Sequence, residues 1–189
     1  MAFSVTPYPS DIKGLGRKVR VALGQLGEPV PEGSRLSLLE PIPVYSGRSA
    51  RLGNSLTKFV HPSGRRAIVL DDGRPIALLD LPANPEHSSK PLSIRGHDAA
   101  RALFSALREA EQLPNRENTE LEVRFVIFHS LSVTALWLMS EHSVFIPTRV
   151  GSADRPKPMT FSEPDFIKLL RRCRQRLRRH KSTSGAVNR

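Results

Sequence analysis

Between Lys168 and Lys181 the chain carries eight cations, Lys168, Arg171, Arg172, Arg174, Arg176, Arg178, Arg179 and Lys181, with no carboxylate among them. Guanidinium groups present planar forks of N–H donors that match phosphate oxygens, so this spacing offers backbone contact to a polyanion. Like charges three and four residues apart on a helix destabilise it, and a bound polyanion relieves that repulsion. The competing explanation is a solvated helix end whose cations complement the macrodipole. Glu163 and Asp165 are the last acidic residues of the sequence, so the final turns have no internal counter-charge. No zinc-finger or RNP pattern accompanies the cluster, which points to contact without sequence preference.

The other reactive residue types are scattered. Histidines stand at 61, 87, 97, 129, 142 and 180, and none is spaced to put two metal ligands on one helix face. Cys173 has arginine neighbours that would lower a thiolate pKa. It also shares a helical stripe with Leu169, Leu170 and Leu177, which makes it a small buried hydrophobe. Asp71, Asp72, Asp80, Glu120 and Glu122 are the carboxylates to consider for two-metal phosphodiester chemistry, although Asp71-Asp72 already has a turn explanation. Gly14-Leu15-Gly16-Arg17-Lys18 lacks both the preceding strand and the spacing of a phosphate-cradling loop. No cofactor motif and no G-x-S-x-G elbow is present.

The elements that must position these residues follow from periodicity. Glu120–Phe128, Val133–Met139 and Val144–Pro147 are short β-branched and aromatic runs, read as three strands of an antiparallel meander. The middle run is apolar on both faces, with Val133, Ala135, Trp137 and Met139 opposite Leu136 and Leu138, which predicts a central strand covered on both sides. Leu56–Val60, Arg66–Leu70 and Ile76–Leu81 form a second meander, with turns at His61-Pro62-Ser63-Gly64 and Asp71-Asp72-Gly73. A helix is predicted from His97 to Gln112, with Ala99, Ala100, Leu103, Phe104, Leu107 and Ala110 as its apolar stripe. A last helix opens at Ser162, which suits the N-cap, with Asp165 at N3 and Phe161 and Phe166 as a hydrophobic staple. It turns Phe166, Leu169, Leu170, Cys173 and Leu177 inward.

Ser10–Gly27 predicts a weaker amphipathic helix interrupted by Gly14, Gly16 and Gly24, each costing about 1 kcal/mol relative to Ala. Glu28–Gly53 is rich in Pro, Gly and Ser, and its extended run Ile42-Pro43-Val44-Tyr45 suits an edge or a linker. The expected fold is therefore α+β: a mainly antiparallel sheet of about six strands in two meanders with two packed helices. The expected divisions are an N-terminal helical arm and linker over 1–53, loosely docked, a single domain over 54–181, and a disordered tail over 182–189.

The runs Glu122-Val123-Arg124, Ala135-Leu136-Trp137-Leu138 and Phe145-Ile146-Pro147, followed by a loop and a helix opening near Phe166-Ile167, resemble a family of small bacterial proteins of unknown function. The resemblance covers about residues 65–180 and departs from the family pattern at His129-Ser130-Leu131, where a Pro-containing apolar break is expected. It implies the fold and a bacterial origin, and it transfers no site residue.

The 189 residues carry a formal net charge of +11, enough chain for one well-buried core. That charge is concentrated at the C-terminal end, where residues 161–189 hold nine basic and two acidic side chains, whereas residues 61–160 hold twelve of each. One cysteine rules out an intramolecular disulfide and points to a reducing, cytoplasmic setting. No apolar stretch reaches the about 20 residues that span a bilayer, and the N-terminus lacks the pattern of a secretory signal. The function these features favour is a non-enzymatic binding module whose basic C-terminal helix contacts nucleic-acid backbone or another polyanion. The alternatives are a small enzyme, for example a metal-dependent nuclease, and a subunit that binds a protein partner with no nucleic-acid role.

Overall fold

The computed structural model describes residues 12–48, 52–82, 93–113, 121–151 and 159–184. They form three α-helices and nine strands. In chain order these are α1 (Ile12–Gln25), β1 (Leu36–Leu38), β2 (Ile42–Gly47), β3 (Val60–Asp71), β4 (Arg74–Leu81), β5 (Ser93–Arg95), α2 (His97–Gln112), β6 (Glu122–Phe128), β7 (Val133–Met139), β8 (Val144–Val150), β9 (Phe161–Ser162) and α3 (Glu163–Ser184). The fold is α+β and mostly antiparallel, with more strands than the six expected. β1, β5 and β9 are two or three residues long and too short to show a period. Leu56–Lys58 is a 3-10 turn where a strand was expected, and the expected turn at His61–Gly64 lies within β3.

Internal contacts divide the chain into two compact units, Met1–Val44 with Pro62–Asn115, and Tyr45–His61 with Arg116–Arg189. The division expected after Gly53 falls inside the second of these.

In the first unit, β3 and β4 form a hairpin closed by Asp72 and Gly73, both at positive φ (45° and 79°). That backbone matches the twist of the flanking strands and favours Asp-Gly. β4 pairs with β5 and β1 with β3, both antiparallel. α1 ends at Gly27, whose φ of 77° lets the Glu28 N–H reach the Leu23 carbonyl at 2.9 Å, a Schellman-type end. Val19 and Leu23 are buried with Ala67, Val69, Ile76, Ala77, Leu79 and Leu81. Two α1 side chains thus belong to this core, which departs from the loosely docked arm expected of a glycine-weakened helix. α2 packs against β4, and its stripe buries Ala100, Leu103, Ala106 and Ala110. Glu28 accepts the His97 N–H at 3.0 Å, which caps α2 where Gly96 has no side chain to do so.

Among the described residues of this unit the buried charged side chain is Arg66. Arg66 and Asp80 are direct partners across β3 and β4, and Arg66 Nε donates to Asp80 Oδ1 at 2.6 Å. Arg95 on β5 donates to the other oxygen at 3.1 Å. Arg66 is only 4% exposed, and burial pulls its guanidinium below the ordinary arginine value while Asp80 opposes that fall.

In the second unit β6, β7 and β8 form the expected meander, in register from Glu122↔Met139 to Phe128↔Val133, and paired from Val133↔Val150 to Leu138↔Val144 with a one-residue shift between Thr134 and Ala135. Val126, Phe128, Val133, Ala135, Trp137 and Phe145 make one cluster with Phe166, Ile167, Leu170 and Cys173 of α3. Aromatic rings run through it. Trp137 stacks on Phe145 with centroids 5.6 Å apart, and Phe145 stacks on Phe166 at 4.5 Å. Tyr45 meets Trp137 edge-on at 5.9 Å. Packing of this kind contributes about 0.5–1.5 kcal/mol per pair beyond the area buried.

Candidate nucleic-acid interface

α3 starts where the sequence places it. The Ser162 hydroxyl accepts the Asp165 N–H at 3.4 Å and donates to the Asp165 carboxylate at 2.8 Å, so it caps the first turn. Pro164 lies in that turn, where a missing N–H removes no intrahelical bond. Phe166 is fully buried and Phe161 partly so, as a staple requires. The helix runs through Ser184, so the first three residues of the expected tail are helical.

The cations of α3 do not have equal standing. Lys168 Nζ donates to Asp165 at 2.9 Å, a pair within one turn. Arg171 Nη2 donates to the Gly53 carbonyl at 3.0 Å and to Asn54 Oδ1 at 3.2 Å. With the Leu56 N–H bonding to Glu163, Arg171 clips the segment before the 3-10 turn onto the helix. Arg172, Arg176, Arg178 and Arg179 are exposed and Arg174 is half-buried. The side chain of Lys181 falls outside the described residues. Leu177, expected to face inward, is 40% exposed, because the docked stripe ends at Cys173.

Cys173 is buried, and desolvation pushes its thiol up, with Arg176 opposing. That is the behaviour of a packing residue, since a reactive thiolate needs the opposite shift. At the far end of the meander, Arg124 Nε and Nη2 donate to the two Glu122 oxygens at 2.8 and 2.7 Å. Its guanidinium lies 4.7 Å from the Tyr45 ring centroid and 5.0 Å from that of Trp137. The bond to Glu122 holds Arg124 above the ordinary arginine value, with burial opposing. Glu122, a candidate metal ligand by sequence, is thus one arm of a bidentate ion pair. Asp71 accepts the Ser34 hydroxyl at 3.0 Å and Asp72 sits in the hairpin turn. Among the described residues no three His, Cys, Asp or Glu side chains gather closely enough to hold a metal ion.

The two cations whose standing sequence could not resolve are Arg171 and Arg174. The partners of Arg171 lie more than a hundred positions away, beyond any local pattern. Lys168 with Asp165 at i−3 is a spacing that sequence does show. Among the described residues no helix is long and apolar enough to cross a membrane. Compared with protein-family models, with curated proteins and with solved structures, the chain gives no match.

Proposed function

We propose that the protein is a non-enzymatic binding module that contacts nucleic-acid backbone through α3. The observation that carries this reading is the division of that helix into a docked stripe and an open basic surface. Phe166, Ile167, Leu170 and Cys173 are buried in the unit's core, while Arg172, Arg176 and Arg178 stand in solvent. A helix fixed by its core loses less freedom on binding than a free tail, so more of the charge attraction appears as affinity. Each cation that neutralises a phosphate also releases condensed counterions, the main source of sequence-independent affinity.

The experiment is direct. Purified protein is freed of carried-over nucleic acid with a high-salt wash, its absorbance ratio being read before and after. Fluorescence anisotropy then follows binding to labelled oligonucleotides of unrelated sequence at about 50 mM salt, where backbone contacts are strong. The expected result is binding that does not depend on sequence. Absence of binding to every oligonucleotide at that salt returns α3 to a solvated surface helix.

A further inference from the structure

From Gln175 to Arg179 every residue of α3 is exposed, Leu177 included. Five consecutive residues exceed the 3.6 of one helical turn, so every side of the helix carries an exposed residue there. Among the described side chains of the helix the last buried one is Cys173. The helix therefore continues past the core that anchors it, as a rod carrying Arg174, Arg176, Arg178 and Arg179 around its surface, with Gln175 among them.

We propose that this projecting end enters the major groove of double-helical DNA, an inference that rests on the backbone-binding reading above. An α-helix with side chains is about 10–12 Å across, and the major groove of B-form DNA is about 12 Å wide. A rod with arginines on several sides meets phosphates on both walls of such a groove, whereas a helix basic on one face meets only one strand. The major groove of an A-form RNA helix is deep and too narrow for side chains to read. Single-strand platforms use exposed aromatic rings for base stacking. Here Phe128, Trp137, Phe145 and Phe166 are buried in the core, and Tyr45, Phe59 and Phe161 are partly buried against it. Among the described residues the large exposed apolar side chains are Val21, Leu26, Met159 and Leu177, none of them aromatic.

The test compares a DNA duplex of about 20 base pairs, roughly two helical turns, with an RNA duplex and a single-stranded DNA of the same length. Dimethyl sulfate footprinting of the DNA complex reads the groove, because guanine N7 lies in the major groove and adenine N3 in the minor. The expected result is tightest binding to the DNA duplex, with guanine N7 protected and adenine N3 unprotected. The triple variant Arg174→Gln, Arg176→Gln, Arg178→Gln should flatten the slope of log affinity against log salt by about 2.7, at about 0.9 per lost phosphate contact. Its melting temperature should match that of the wild type, since none of the three residues is in the core. Equal or tighter binding to RNA duplex or to single strands, or protection confined to adenine N3, overturns the major-groove proposal while leaving backbone binding intact. Failure to bind any of the three overturns both.

Discussion

Replacing Phe166 with alanine should cost the second unit about 3–5 kcal/mol, the range for deleting a buried aromatic side chain. The upper part of the range applies because Phe166 is fully buried, stacks on Phe145 at 4.5 Å and meets Phe128 at 6.4 Å. Each ring contact adds about 0.5–1.5 kcal/mol to the area term. Trp137 lies in the same cluster and is the chain's one tryptophan, so its fluorescence reports unfolding of this unit in wild type and variant alike. For a urea dependence of about 2 kcal/mol per molar, a loss of 4 kcal/mol lowers the midpoint by about 2 M. Phe166→Leu keeps most of the volume and should cost less than the alanine variant, as conservative core exchanges do. A loss for Phe166→Ala within about 0.5 kcal/mol, the range of surface changes, would mean that α3 is not docked through this ring. The argument for a pre-positioned basic surface would then fail with it.

Asp80→Ala should destabilise the first unit by about 3–5 kcal/mol, because it takes away the carboxylate that compensates a buried arginine; a chemical-denaturation difference below about 1 kcal/mol would contradict that role. Cys173 should alkylate slowly at mildly alkaline pH in the folded protein and quickly in denaturant, since burial raises its thiol; equal rates in both states would show it to be accessible. Asp165 is held below the ordinary carboxylate value by the Lys168 ammonium and then by the Ser162 hydroxyl. Its contribution to the first turn of α3 is therefore complete above the ordinary value, about 3.9, and lost as pH falls through the lowered one. An NMR titration placing its midpoint at or above the ordinary value would refute the cap geometry.

The parts of the fold written in the sequence are those where one physical signal dominates. Trp137 lies on a run apolar on both faces, and the strand is buried on both. Asp72-Gly73 has the residue types that positive φ demands, and the hairpin closes there. α2 has the bounds its stripe gives. Pro62 and Gly64 misled for a physical reason: both disfavour a strand interior, yet Pro62 lies on the exposed early part of β3, and at Gly64 an added Cβ would stand 2.6 Å from the Leu81 carbonyl oxygen, so the close approach of the two strands requires glycine. Val19 and Leu23 are buried despite the glycines of α1, because tertiary burial outweighs about 1 kcal/mol of propensity per glycine. In the candidate interface the basic composition was legible. The commitment of Arg171 to Gly53 and Asn54 was not, because it depends on where a distant segment folds.

The most direct measurement of the central claim is the salt dependence of duplex binding, read on the wild type and two variants. Arg172, Arg174, Arg176 and Arg178 lie on the half-buried or exposed surface of α3, and four phosphate contacts give a log–log slope of about −3.6. Replacing all four with glutamine should flatten the slope by about that amount and weaken binding equally across sequences. Arg171→Gln should leave the slope nearly unchanged, because that guanidinium already serves the Gly53 carbonyl and Asn54. A wild-type slope near zero, or one that survives the fourfold replacement, would contradict the assignment of α3 as the binding surface.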